Sequence, residues 1–178
     1  MTFNALVLHR DDDKKVTAAI EQLTDERLPD GDVLVDVEWS SLNYKDGMIL
    51  QGVGGLVRNY PHVPGIDLAG TVRSSDHDEF AVGDRVVLTG WRVGEVHWGG
   101  YAERARVNGD WLVKLPEAIS TRQAMSIGTA GFTAMQALAA LEAQGLTPGA
   151  DHPVLVTGAS GGVGSSCLLY TSPSPRDS

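Results

Sequence analysis

The residues best suited to chemistry by type and spacing lie in Thr157-Gly158-Ala159-Ser160-Gly161-Gly162-Val163-Gly164. Gly158, Gly161 and Gly164 recur at every third position, a variant of the dinucleotide-binding fingerprint. Glycine is needed there for two reasons. A tight turn calls for positive φ, and a side chain would hold a pyrophosphate away from the backbone N–H groups. A helix opening at the end of the loop turns its positive end toward phosphate, and Ser160 adds a hydroxyl donor. The apolar run Val154-Leu155-Val156-Thr157 just ahead of the loop reads as a buried parallel strand. The cofactor-binding residues expected from this pattern are Gly158, Ser160, Gly161, Gly162, Val163 and Gly164; a plain glycine-rich turn is the alternative reading. The residue that reads the ribose belongs about 20 positions further on, past Ser178, so the local chemistry does not separate NADH from NADPH.

Metal and disulfide chemistry find little to work with. A single cysteine, Cys167, excludes an internal disulfide framework and a multi-thiolate zinc site. His62, His77, His97 and His152 are scattered without a ligand spacing, and no metal ligand set is expected. Arg58 and Arg92 are candidate contacts for phosphate, weighed against ordinary solvated arginines. Trp91, Trp98 and Trp111 read as core or cleft-wall residues.

These groups need a scaffold, and the composition allows one. The 178 residues are 42% hydrophobic and 21% charged, ordinary values for a globular chain of one or one and a half domains. A formal net charge of -9 argues against general binding to nucleic acid phosphates. The opening Met1–Arg10 lacks the basic lead and apolar run of a signal peptide. No stretch reads as reaching the ~18 apolar residues of a membrane span, so a cytoplasmic protein with no membrane partner is the expectation.

Strand signals fill the first half: Phe3–Leu8, Val33–Trp39, Asp67–Arg73, Arg85–Leu88, Tyr101–Arg106 and Trp111–Lys114. In Val33–Trp39 the valines 33, 35 and 37 alternate with Leu34, Asp36 and Glu38, the period of a strand with one buried face. Turn chemistry at Leu28–Asp32, Pro64-Gly65, Val82–Asp84 and Trp98–Gly100 separates the runs. The period then changes. Ser120 caps a helix starting near Thr121, with Gln123 completing a capping box. Gly128 ends or interrupts it, Phe132–Ala143 continues in good helix formers, and Gly145 and Pro148 close it. After Gly164 a crossover helix is required, yet Pro173 and Pro175 forbid its continuation. The chain therefore reads as stopping partway through its own cofactor fold, with residues 167–178 as a non-native tail.

Longer stretches carry a resemblance. They are Asp36–Asp46 (DVEWSSLNYKD), Pro64–Val72 (PGIDLAGTV), Leu88–Trp91, His97–Gly100, Gly109–Val113, Ile127–Met135 (IGTAGFTAM) and the glycine loop. Through them the chain resembles the acrylyl-CoA reductase family, also called AcuI or YhdH-type quinone oxidoreductases, zinc-free members of the medium-chain dehydrogenase/reductases. The resemblance covers all but the tail and about half of a family member.

It implies an α+β with α/β fold: a GroES-like β-rich catalytic domain over residues 1–118, then linker helices, first strand and phosphate loop of a truncated NAD(P)-binding Rossmann domain over 119–166. It implies NADPH as reductant, acryloyl-CoA or a quinone-like small molecule as substrate, and a homodimer for the full-length form. Zinc-dependent relatives place a cysteine and a His-Glu pair where this chain has Asn43–Asp46 and Pro64–Asp67, which offer neither thiolate nor imidazole. Reduction of an activated alkene is the chemistry left open. The resemblance places Tyr44 at the nicotinamide as the candidate catalytic and cofactor-binding residue, and Thr129 and Thr133 beside the cofactor. Asn43 is expected to hold the loop through backbone hydrogen bonds, and Lys45 and Asp46 to form a local ion pair. A quinone reductase and a non-catalytic nucleotide-binding protein remain the alternatives.

Overall fold

The structure is a computed structural model and describes residues 2–147 and 154–171. Two compact units divide between Ser126 and Ile127.

The first unit is built from antiparallel strands. β1 (Thr2–Arg10) pairs with β2 (Val16–Thr24) in a two-stranded sheet. β3 (Val33–Trp39), β4 (Asp67–Ser75), β5 (Arg85–Thr89), β6 (Arg104–Val107) and β7 (Val113–Lys114) form a five-stranded sheet in the order β6-β3-β4-β5-β7. A short helix, α1 (Tyr44–Leu50), lies between β3 and β4 in the sequence. The alternation in β3 has the expected consequence: Val33 and Val35 are fully buried in a cluster with Leu68, Val72, Val86 and Leu88. Each such side chain contributes about 2 kcal/mol through removal from water. Leu34, on the other face, is buried too, in a second cluster with Phe3, Val7 and Leu23. β3 is thus covered on both sides, one of them by the small sheet.

Two elements of this unit escaped the sequence reading. β2 buries only Leu23 fully, so it shows no apolar alternation, and its ladder with β1 holds it in place. α1 is seven residues long and starts at Asn43, which sits in a capping box with Asp46.

The expected helix over Thr121–Ala143 forms as α2, kinked at Gly128 (φ 51°, ψ -162°). The capping box is present: the Ser120 N–H donates to Gln123 Oε1 at 2.9 Å, and the Gln123 N–H donates to Ser120 Oγ at 3.2 Å. Gly145 closes the helix with φ 97°, and Leu146 N–H donates to the Leu141 carbonyl at 3.1 Å; Pro148 lies outside the described residues. Contrary to the expectation of no candidate span, α2 is long and apolar enough to cross a membrane by length and composition alone. The kink leaves neither piece with the ~20 residues of a span, and Ala124 and Met125 of the first piece pack on Ala69 of β4.

In the second unit, Gly162–Thr171 form α3. The helix therefore runs through the first part of the segment read as a non-native tail, and residues 172–178 lie outside the described residues. The strand expected at Val154–Thr157 is absent. Those residues have no ladder partners, Thr157 lies in a bend, and Leu155 is 87% exposed. A parallel strand exists through the neighbours that take its N–H and C=O groups, and no described strand lies beside this one.

Candidate active site

Two sets of site residues sit in separate units. In the first, Tyr44 is the opening residue of α1 and is 88% exposed. Beneath it the helix start is held by a polar network that the sequence reading missed. Asp46 is fully buried; its carboxylate accepts the N–H of Asn43 at 2.8 Å and of Ile66 at 3.0 Å. Burial pushes its carboxyl above the usual carboxylate range, and the two backbone donors oppose that rise.

Asp67 is fully buried as well and accepts from the Ser41 hydroxyl and, at 3.2 Å, from the Asn43 amide. That amide also donates to Ser41 Oγ at 2.9 Å. Tyr101 donates to the Ser41 carbonyl at 3.1 Å. Its phenol is pushed far up by burial and by the neighbouring Asp46 carboxylate, so it stays a neutral donor. The two stretches in which zinc-dependent relatives hold their ligands are therefore joined by hydrogen bonds between Asn43 and Asp67 and between Asp46 and Ile66. Among the described residues no three His, Cys, Asp or Glu side chains converge on a common point.

Several expectations around Tyr44 need correction. Lys45 does not pair with Asp46: successive helical residues diverge, so Asp46 turns inward and Lys45 reaches Glu95 at 2.9 Å. Asn43 holds the loop through its side-chain amide as well as its backbone N–H. Trp91 is 60% exposed, which excludes the core alternative of the core-or-cleft-wall expectation; it stacks on Trp111, with ring centroids 6.3 Å apart. Arg92 is exposed, with Glu95 at 3.9 Å, and Arg58 is exposed. His62 is buried, with Nε2 donating to the Gly94 carbonyl at 2.8 Å, and His97 bonds the Arg106 carbonyl at 2.7 Å. His77 faces Asp110 at 3.3 Å; His152 lies outside the described residues. The signal available for the missed network was the Asn43-x-x-Asp46 spacing, which is that of a helix cap.

The second set is the glycine loop. Gly158 has φ 65°, and Gly161 N–H donates to its carbonyl at 2.9 Å, closing a tight turn into α3. A Cβ on Gly164 would run into Gly158 and Ala159, so the third glycine is required for closure of the loop itself. Gly158 to Val163 are exposed and Gly164 is buried. The first N–H groups of α3 have no intrahelical acceptor, and at the exposed Gly161-Gly162-Val163 corner no side chain larger than valine screens them. A helix start of this kind is able to hold an anionic group such as a pyrophosphate. Gly162 also lets α3 approach α2: a Cβ there would be 3.2 Å from Ala130 Cβ. Ala130 lies on the turn of α2 that carries Thr129 and Thr133, which share a helix face at i, i+4. Ser160 is exposed in the loop.

Residues 29–117 match the alcohol dehydrogenase GroES-like domain family. The chain is 62% identical over 164 residues to the acrylyl-CoA reductase AcuI of Ruegeria pomeroyi, covering 92% of this chain and 49% of the relative. It is 46% identical over 162 residues to the putative quinone oxidoreductase YhfP of Bacillus subtilis, covering 91% and 48%. The yhdH oxidoreductase of Salmonella enterica, solved in complex with NADP, superposes with a TM-score of 0.89 at 56% identity, over 93% of this chain and 50% of that one. The chain thus spans about half the length of the relatives it matches. With an antiparallel β unit followed by a glycine loop at a helix start, it belongs to the alcohol dehydrogenase GroES-like domain family.

Proposed function

We propose that the whole protein reduces the conjugated C=C bond of acryloyl-CoA, or a closely similar activated alkene, with NADPH and without zinc. The observation that carries the reading is the 62% identity to an acrylyl-CoA reductase over 92% of this chain. Gly158, Ser160, Gly161, Gly162, Val163 and Gly164 would hold the pyrophosphate, and Thr129 and Thr133 the neighbouring part of the cofactor. NADPH supplies the hydride that reaches the β-carbon of the alkene. Tyr44, exposed at the start of α1, offers its hydroxyl as a hydrogen-bond or proton donor to the reacting end. Asp46, Asp67, Asn43 and Ser41 fix the turn from which Tyr44 projects. The lack of thiol or imidazole at Asn43–Asp46 and Pro64–Asp67 supports a reaction without zinc. We place the protein in the cytoplasm, as a homodimer when complete.

The test uses a chimera joining residues 1–165 to the remaining half of the Ruegeria pomeroyi relative. It should consume NADPH with acryloyl-CoA, whereas the 178-residue chain alone should not. Tyr44→Phe should lower kcat at least ten-fold or raise the KM for NADPH by a similar factor, the scale of a lost general acid or cofactor contact; unchanged kinetics remove Tyr44 from the reaction. The second reading, a quinone reductase, is favoured by the 46% identity to a putative quinone oxidoreductase. Turnover with a benzoquinone and none with acryloyl-CoA would decide for it.

A further inference from the structure

Two clefts run along α1. The first, about 460 Å³, is walled by Asn43, Tyr44, Gly47, Met48, Gln51 and Val53 among others, and its wall carries no charged side chain. The second, about 130 Å³, has Arg10, Lys14, Val53, Val57 and Tyr60 in its wall and no carboxylate. Val53 belongs to both walls. Taken together they offer a path from an uncharged end at Tyr44 to two cations, on a chain whose net charge is -9.

The cationic end is built into the fold. The Arg10 guanidinium lies 4.8 Å from the Tyr60 ring centroid, a cation–π contact that orients it without neutralising it. Lys14 holds φ 64° at the tip of the β1–β2 hairpin, a conformation uncommon for a side chain larger than glycine. Asp11, Asp12 and Asp13 share that turn, but none of them reaches the cleft wall, and Asp11 is engaged by the Lys15 N–H at 2.8 Å. Arg58 adds a third exposed cation on the segment between Val57 and Tyr60.

A ligand that fits this path has an uncharged reactive end, a neutral arm able to hydrogen-bond with an amide such as that of Gln51, and phosphates at the far end. A coenzyme A thioester has that order of groups, and α1 itself accounts for about 10 Å of the reach. We infer that the two clefts form the coenzyme A subsite, with the pantetheine arm along Gly47, Met48 and Gln51 and the phosphates on Arg10 and Lys14. The inference rests on the reading of Tyr44 as the residue at the reacting end.

The experiment compares acryloyl-CoA with acryloyl-pantetheine in the chimera described above, and titrates coenzyme A into the 178-residue chain. Removing both cations in Arg10→Ala/Lys14→Ala should lower the ratio of kcat/KM for acryloyl-CoA to that for acryloyl-pantetheine about ten-fold, the equivalent of about 1.4 kcal/mol, and should abolish saturable binding of coenzyme A. Gly47→Leu is the second variant. A Cβ at Gly47 meets nothing within 4 Å and leucine suits a helix, so the fold accepts it while the side chain fills the cleft. It should raise the KM for both thioesters.

An unchanged ratio in the double variant overturns the subsite. So does a rise in the KM for NADPH in place of that for acryloyl-CoA, because the cations then serve the dinucleotide. Absence of coenzyme A binding to the parent chain overturns it too. The two readings fail separately: a chimera with no thioester turnover, while coenzyme A binding is lost in the double variant, sinks the proposed reaction and keeps the subsite.

Discussion

At the scale of single residues, the most consequential groups are buried and polar. Asp67 satisfies the Ser41 hydroxyl and the Asn43 amide at once. Replacing it by alanine strands both donors in a buried site, which costs about 3 kcal/mol. Denaturant unfolding of the 178-residue chain should show that loss, and a change under about 0.5 kcal/mol would mean that water replaces the carboxylate. His62 makes a different prediction. Burial holds its pKa below the ordinary 6.5, so the unfolded chain takes up a proton more readily than the folded one. Its stabilising contribution is then complete above pH 6.5 and is lost as pH falls below it. His62→Gln keeps a donor for the Gly94 carbonyl and cannot titrate. Its melting temperature should fall less than that of the parent between pH 7 and pH 5, and parallel curves would exclude His62 as a source of acid sensitivity. None of this was legible in the residue types. Tyr44 stood out only through resemblance, while the worth of Asp67 and His62 depends on partners 24 and 32 positions away in the chain.

At the scale of elements, glycine carries two opposite meanings. Gly128 occupies φ 51°, ψ -162° inside α2, a region essentially reserved to glycine. Gly47 lies in an ordinary turn of α1, where a Cβ would meet open space. Gly128→Ala should therefore destabilise by about 1–3 kcal/mol through strain. Gly47→Ala should stabilise by up to about 1 kcal/mol through helix propensity. Thermal melts of the two variants in the same chain check the contrast, and shifts of the same sign would contradict it.

The legibility of the elements follows the same physics. β3 announced itself because alternate side chains enter one cluster, and α2 because its cap and its helix formers agree. β2 was invisible because backbone pairing with β1, rather than an apolar face, secures it. Val154–Thr157 misled for the converse reason: an apolar run is a strand only where other strands pair with it.

At the scale of the whole molecule, the change of pattern near Ser120 was readable, but the units divide after Ser126. The first turns of α2 belong with the β-rich unit because Ala124 and Met125 complete a cluster with Ala69. Unit one contains every described strand and all four buried clusters. Unit two offers α3, most of α2 and an apolar cavity of about 210 Å³ walled by Leu138, Leu141, Val156 and Cys167 among others. Phe132, Met135, Val154, Leu155 and Leu169 are exposed around these elements. Local stability tracks such differences in burial and in ladder hydrogen bonds. In hydrogen exchange on the 178-residue chain, the amides of β3 and β4 should open only with global unfolding, while those of residues 154–165 should exchange near the rate of an unstructured peptide. The same exposed apolar groups should bind a hydrophobic dye, and the chimera, in which the rest of the relative's cofactor half is present, should bind less of it. Equal protection in both units would show that unit two has a stability of its own that its buried contacts do not explain. Equal dye binding by chain and chimera would show that this apolar face is not where the relative's other half packs.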